Sequence, residues 1–148
     1  MRKILLFLAL AAVGGSVQAQ LPFLSKRGPQ SAQPVLQGID ALRAEFAAQS
    51  GGTTVYFGAE SSGLGAPART VLTAQAAWLR RHPEVAVRVE GYGDAGDTRD
   101  HALAVGARRA EEARSYLVLL GVPAPQVSIT SWGKERPGLG RAVTILVR

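Results

Sequence analysis

Asp94, Asp97, Asp100 and His101 gather three carboxylates and an imidazole into one short stretch, side chains of the kind that ligate metals or exchange protons. Their spacing matches neither a calcium loop nor a zinc motif. Acidic residues are also favoured at a helix start, where the macrodipole is positive, so capping is the preferred reading of this group. His82, just before Pro83, reads as a helix-end residue rather than a base. The Gly91-x-Gly93 pair lacks the third glycine of a dinucleotide fingerprint, and the chain has neither a Gly-x-Ser-x-Gly elbow nor a phosphate loop. No cysteine is present, which excludes disulfides, thiolate metal sites and a thiol nucleophile. No catalytic residues, no cofactor and no metal are therefore expected. Trp78 and Trp132 are of a type that stacks on sugars, but both are expected to be buried anchors, as are Phe46 and Phe57. Asp94 and Arg109 remain as an acid–base pair, which on residue type alone reads as a surface salt bridge of small energetic weight.

Hydrophobic periodicity defines the elements that must carry these residues. Val35, Leu36, Ile39, Leu42 and Phe46 fall at helical spacing before Ser50-Gly51-Gly52, so residues 35–52 are expected to form a short amphipathic helix and linker. Its apolar face should dock on the following domain; the alternative is a helix over residues 35–49 that binds an envelope protein partner. Thr53 to Phe57 is β-branched and aromatic and predicts a first strand. Pro67 to Arg81 predicts a helix with Val71, Leu72, Gln75, Trp78 and Leu79 on one side. Val85 to Gly91 alternates Val85, Val87 and Val89 against Ala86, Arg88 and Glu90, the pattern of a strand buried on one face. A glycine-rich loop then leads to a helix from about Arg99 to Leu120, with Leu103, Gly106, Ala110, Ala113, Leu117 and Leu120 as its buried stripe. Gly121 and Pro123 stop it, and Gln126 to Trp132 supplies a third strand. Arg141 to Val147 supplies a fourth, with Val143, Ile145 and Val147 as its apolar side. The order βαβαββ over residues 53–148 predicts an α+β domain, a two-layer sandwich with helices packed on one face of a mixed sheet.

The chain starts with Arg2 and Lys3, an apolar run from Ile4 to Val13, and Val17-Gln18-Ala19, the pattern of a secretory signal peptide over residues 1–19. The run is shorter than the roughly 20 residues of a spanning helix, so cleavage after Ala19 is expected, leaving no integral membrane span. Retention as an anchor is the alternative, because Leu21 to Leu24 prolong the apolar character. Residues 20–34 read as a flexible leader. Gln20 as first mature residue gives no cysteine for a lipid anchor, so any tie to the outer membrane is expected to be indirect. Lys and Arg total 17 against 11 Asp and Glu, or 15 against 11 once Arg2 and Lys3 are set aside. A mild basic excess suits an anionic polymer and equally an ordinary soluble domain. Basic residues cluster only as short pairs, such as Arg80-Arg81 and Arg108-Arg109, so nucleic acid is not an expected partner.

The stretch VEGYGDAGDTRDHALAVGARRAEEARSYLVLLGV, Val89 to Val122, resembles the central motif of the OmpA C-terminal family, which includes Pal-like and flagellar stator domains. Glu90-Gly91, Asp94, Thr98, Val105-Gly106 and Arg109-Ala110 occupy the motif positions, and the resemblance extends to VYFGAESSGL upstream and ITSWGKERP downstream. It implies an OmpA-like fold and non-covalent binding of peptidoglycan, in the periplasm of a Gram-negative bacterium, cell-wall associated and peripheral to the outer membrane. It further implies recognition of the diaminopimelate of the stem peptide, with Asp94 accepting from its ammonium and the Arg109 fork holding its carboxylate. Tyr92, Thr98 and Arg141 are candidate supporting residues. The chain departs from the family pattern at Tyr92, where histidine is usual, at Asp97, where glycine is usual and where an aspartate suits a helix cap, and at Ala102, where asparagine is common. It also departs at Gly58-Ala59 and Gly140-Arg141-Ala142. A degenerate domain serving as a periplasmic interaction or structural module, without peptidoglycan binding, is the alternative.

Overall fold

Three helices and four short strands form close to where the periodicity predicts them, in a computed structural model that describes residues 33–136 and 140–147. The predicted signal peptide and nearly all of the leader lie outside those residues. The elements are α1 (Gln33–Gln49), β1 (Thr54–Tyr56), α2 (Ala66–Arg81), β2 (Val87–Tyr92), α3 (Arg99–Leu119), a 3₁₀ turn (Ala124–Gln126), β3 (Val127–Gly133) and β4 (Arg141–Leu146). Among the described residues no helix is long and apolar enough to cross a membrane.

The sheet order is β1-β4-β2-β3. Strand β4 lies antiparallel between β1 and β2, while β2 and β3 are parallel. Thus β1, β2 and β3 all point the same way, and their carboxyl ends, with the loops that follow, meet at one end of the sheet. Register assigns Val55, Val87, Val89, Val127, Ala142, Thr144 and Leu146 to one face, where they join Leu72, Ala76, Trp78 and Leu79 of α2 and Ala110, Ala113 and Leu117 of α3 in a single core. This is the mixed-sheet α+β sandwich expected from the sequence.

Period two in β4 is as expected, but its phase is reversed. Ala142, Thr144 and Leu146 are buried, whereas Val143 and Ile145 lie on the open face and Val147 is exposed. Register with β2 decides this, because Thr144 pairs with Val89 and so must face the helices. The Thr144 hydroxyl is satisfied there by donating to Gln75 Oε1 at 2.8 Å. Apolar content pointed to the valine side; a partnered threonine occupies the core instead. In α3 the buried line is Ala102, Val105, Gly106, Arg109, Ala110, Ala113 and Leu117, with Leu103 only half-buried and Leu120 at the cap. Trp78 is a buried anchor, but Trp132 and Phe57 are half-buried.

Helix α1 docks through Phe46, which is 0% exposed and packs edge-on to the Trp78 ring at 5.1 Å. Trp78 Nε1 donates to Glu45 Oε1, and Arg43 Nη2 donates to the Leu146 carbonyl. Ile39 and Leu42 pack beside Phe46 against the same core. Ile39, Leu42 and Phe46 of this helix are therefore engaged by its own domain.

Candidate functional site

The loops after β1 and β2 converge because their strands are parallel, and the α3 helix closes over them. Two near-contacts fix that closure. A Cβ at Gly91 would lie 1.8 Å from the Gly106 carbonyl oxygen, and one at Gly93 would lie 2.5 Å from that of Ala102. Only glycine lets β2 approach α3 this closely. Ala102 is consequently buried under Gly93 and presents nothing to a ligand, which is the structural consequence of lacking a larger side chain there.

Arg109 enters the junction from the middle of α3. Helical side chains lean toward the N-terminus, and the tight β2–α3 contact brings the loop within their reach. The guanidinium is 0% exposed, and all five of its N–H groups are engaged. Nε donates to the Ser61 carbonyl at 2.8 Å. Nη1 donates to the Tyr92 carbonyl at 2.8 Å and to Asp94 Oδ1 at 2.9 Å. Nη2 donates to the Gly58 carbonyl at 3.0 Å and to Asp94 Oδ2 at 3.1 Å. The Phe57 ring covers it from 5.5 Å. Arg109 thus ties both loops to one helix.

Asp94 forms the outer half of this pair. Its side chain is 22% exposed, and Oδ2 also accepts the Glu60 N–H at 2.7 Å. Glu60 adopts φ +54, a left-handed conformation unusual for a residue with a side chain, and the bond to Asp94 helps to hold it. The Arg109 hydrogen bonds hold the Asp94 carboxyl below its ordinary range; partial burial opposes them, while the Glu60 N–H and the Arg109 and His101 charges reinforce them. The result is an ionised carboxylate, fixed in direction and open to solvent, able to accept from an ammonium group.

Sequence reasoning paired Asp94 with Arg109, and the structure brings them into bidentate contact. It gives the Arg109 fork to Asp94 and to the backbone carbonyls of Ser61, Tyr92 and Gly58. Tyr92 contributes its carbonyl oxygen; its ring lies on the open sheet face, where its hydroxyl donates to Glu90 Oε2 and the Arg141 guanidinium sits 5.5 Å over the ring. Burial, reinforced by the neighbouring Glu90 charge, raises the pKa of that hydroxyl. Glu90, expected on the solvated side of its strand, is only 6% exposed because Arg88 and Tyr92 bracket it with hydrogen bonds. Thr98 is the N-cap of α3, its hydroxyl accepting the His101 N–H, so the cap is Thr98 and not Asp97. Asp97 instead sits 3.9 Å from His101 Nε2, while Asp100 is exposed. Among the described residues, no three histidine or acidic side chains converge as metal ligands would. Gly58, Ser61 and Glu60 were not legible as site residues because they act through backbone atoms, which side-chain identity does not reveal.

Similarity to known proteins agrees with this architecture. A family model described as the OmpA family matches residues 56–142. The chain is 43% identical over 86 residues to the peptidoglycan-associated lipoprotein of Agrobacterium fabrum, covering 58% of this chain and 49% of that protein. It is 33% identical over 149 residues to the protein of the same name from Pseudomonas aeruginosa, covering 91% and 88%. Against several of its curated relatives the chain thus spans about half their length. The crystal structure of the peptidoglycan-associated lipoprotein from Burkholderia pseudomallei superposes with a TM-score of 0.62 at 31% identity, over 65% of this chain and 91% of that one. The C-terminal domain of Helicobacter pylori MotB, at 19% identity, shares the fold with a TM-score of 0.59, over 64% and 84%. With the matched region spanning more than half of its length and containing β2, α3 and the Asp94–Arg109 pair, this chain belongs to the OmpA family.

Proposed function

We propose that this domain binds peptidoglycan non-covalently in the periplasm, at the loops that follow β1 and β2, and contributes to envelope integrity without cleaving any bond. The observation that carries the reading is the Asp94 carboxylate, ionised, partly exposed and held by a fully buried arginine. Relatives named as peptidoglycan-associated lipoproteins support the choice of ligand. The ligand group is the diaminopimelate of the stem peptide, whose ammonium meets Asp94 in a charge-assisted hydrogen bond. Arg109 acts through Asp94, fixing its direction and keeping it charged. Thr98 sets the start of α3 and so the path of the Asp94 loop, while Tyr92 holds Arg109 with its carbonyl. Ile39, Leu42 and Phe46 already face the core, so nothing among the described side chains of α1 favours the reading of residues 35–49 as a partner-binding helix.

Co-sedimentation with purified diaminopimelate-type peptidoglycan tests the proposal. The wild-type chain should pellet with the polymer, and Asp94→Asn and Asp94→Ala should remain in the supernatant with unchanged circular dichroism. Undiminished pelleting of both folded variants would refute the site.

A further inference from the structure

Strand β1 is an edge of the sheet, and its bonds to β4 fix which way its backbone points. The Thr144 N–H donates to the Thr53 carbonyl at 2.8 Å, and the Phe57 N–H donates to the Gly140 carbonyl at 2.9 Å. Thr53, Val55 and Phe57 therefore bond toward β4, so the N–H and carbonyl groups of Thr54 and Tyr56 point outward, without partners among the described residues. Such an edge is a template for a further strand. Beside it opens a cavity of about 320 Å³, lined by Gly51 and Val55 and, at the start of α2, by Gly65, Pro67, Ala68 and Val71. Val55 points to the helix face, so the residue of an added strand opposite Val55 points there too, into the cavity. Its two neighbours lie on the open face beside Thr54 and Tyr56, the latter 69% exposed.

The occupant this edge calls for is an extended segment with an apolar residue between two that keep their N–H groups. Leu21, Pro22, Phe23 and Leu24 of this chain, which lie outside the described residues, supply the apolar character. Helix α1 is about 25 Å long, and Gly51, just past its end, lines the cavity. Ser25 precedes Gln33 by eight residues, an extended reach of about 26–29 Å, enough to return along α1 to that end. Antiparallel alignment with Leu24 opposite Val55 sets Phe23 against Tyr56 and Ser25 against Thr54, giving four backbone hydrogen bonds, an aromatic pair and a hydroxyl pair. Moving the register by one residue puts Pro22, which has no N–H, at a bonded position, or puts Ser25 in the apolar cavity. A second copy of β1 would bring only Val55, already buried in its own core, and would leave the cavity empty. We propose that the β1 edge is the docking site of the leader segment Phe23–Ser25, with Leu24 seated between β1 and α2.

Because the chain has no cysteine, Ser25→Cys with Thr54→Cys can be oxidised without competing thiols. A hydrogen-bonded antiparallel pair has its Cα atoms about 5.5 Å apart, within disulfide range. The double variant should close a disulfide within one chain, and adding Leu24→Asp should slow closure about ten-fold. In the chain without cysteines, the Thr54 and Tyr56 amides should exchange hydrogen about ten-fold faster in Leu24→Asp than in wild type, while Leu24→Ile keeps the protection. Circular dichroism should be the same in all of them, since Leu24 lies outside the core. Equal exchange in wild type and Leu24→Asp overturns the inference. So does a disulfide that forms between chains, or amide protection that rises with protein concentration, either of which assigns the edge to a second copy. Peptidoglycan binding is not the readout, so each of these results leaves the Asp94 site standing.

Discussion

Replacing Arg109 with lysine preserves the positive charge and removes the fork, so it isolates what the geometry contributes. Lysine carries three N–H donors, whereas Arg109 makes five hydrogen bonds. At least two acceptors must lose their partner, and the carbonyls of Gly58, Ser61 and Tyr92 sit on separate sides of the guanidinium. At roughly 1 kcal/mol for an ordinary lost bond and up to about 3 for a buried acceptor left unpaired, the loss is about 2–6 kcal/mol. A large fraction of a small domain's stability is at stake. With a urea slope of about 1–3 kcal/mol per molar, the midpoint should fall by at least about 0.7 M, followed by fluorescence of the buried Trp78. Asp94→Asn provides the comparison, because it keeps the three backbone carbonyl bonds of Arg109 and an amide oxygen for one more. It should cost less stability than Arg109→Lys and yet lose peptidoglycan binding more completely. A midpoint change under about 0.3 M for Arg109→Lys, or a larger loss of stability in Asp94→Asn, would refute the view of Arg109 as the clamp that joins both loops to α3.

Acid should act through the same pair. The folded-state pKa of Asp94 is lowered, chiefly by the Arg109 hydrogen bonds, so its stabilisation is complete above the ordinary aspartate value of 3.8 and is lost as pH falls below it through the folded value. Subtracting the urea stability of Asp94→Asn from that of wild type across pH 7 to 2 should give a difference flat above about pH 5 and shrinking in acid; a difference that grew in acid would contradict the assignment. Gly91→Ala would drive a methyl group into the Gly106 carbonyl and should cost at least about 3 kcal/mol or abolish soluble expression. Gly96→Ala meets nothing within 4 Å and should be tolerated to within about 0.5 kcal/mol, and equal effects of the two by thermal melting would count against the close-packing account. Phe46→Ala should lower urea stability by about 3–5 kcal/mol and expose α1 to hydrogen exchange, whereas a change under about 1 kcal/mol would mean that α1 is not part of the cooperative unit.

Much of the architecture was legible because burial writes a period into the chain. Val85, Val87 and Val89 are all buried, and the small residues at Gly106, Ala110 and Ala113 mark the packed side of α3. The motif from Glu90 to Ala110 also carried the family assignment. What failed to show was any fact that depends on a partner in space. In β4 the apolar count favoured Val143 and Ile145, yet register with β2 turned Thr144 inward, where Gln75 receives its hydroxyl. Asp97 has the residue type of a cap, but the chain path gave that place to Thr98.

The feature by which the chain was first read, Asp94 with Arg109, divides along the same line. Sequence alone determined that an acid and a base occur at these positions, that a strand and a helix carry them, and that no cysteine chemistry accompanies them. Only tertiary structure decided which partner each one uses. Hydrogen-bond donors are satisfied by whatever acceptors the fold brings near, and here three backbone carbonyls, invisible to residue identity, complete the shell of Arg109. That saturation leaves Asp94 as the exposed member of the pair.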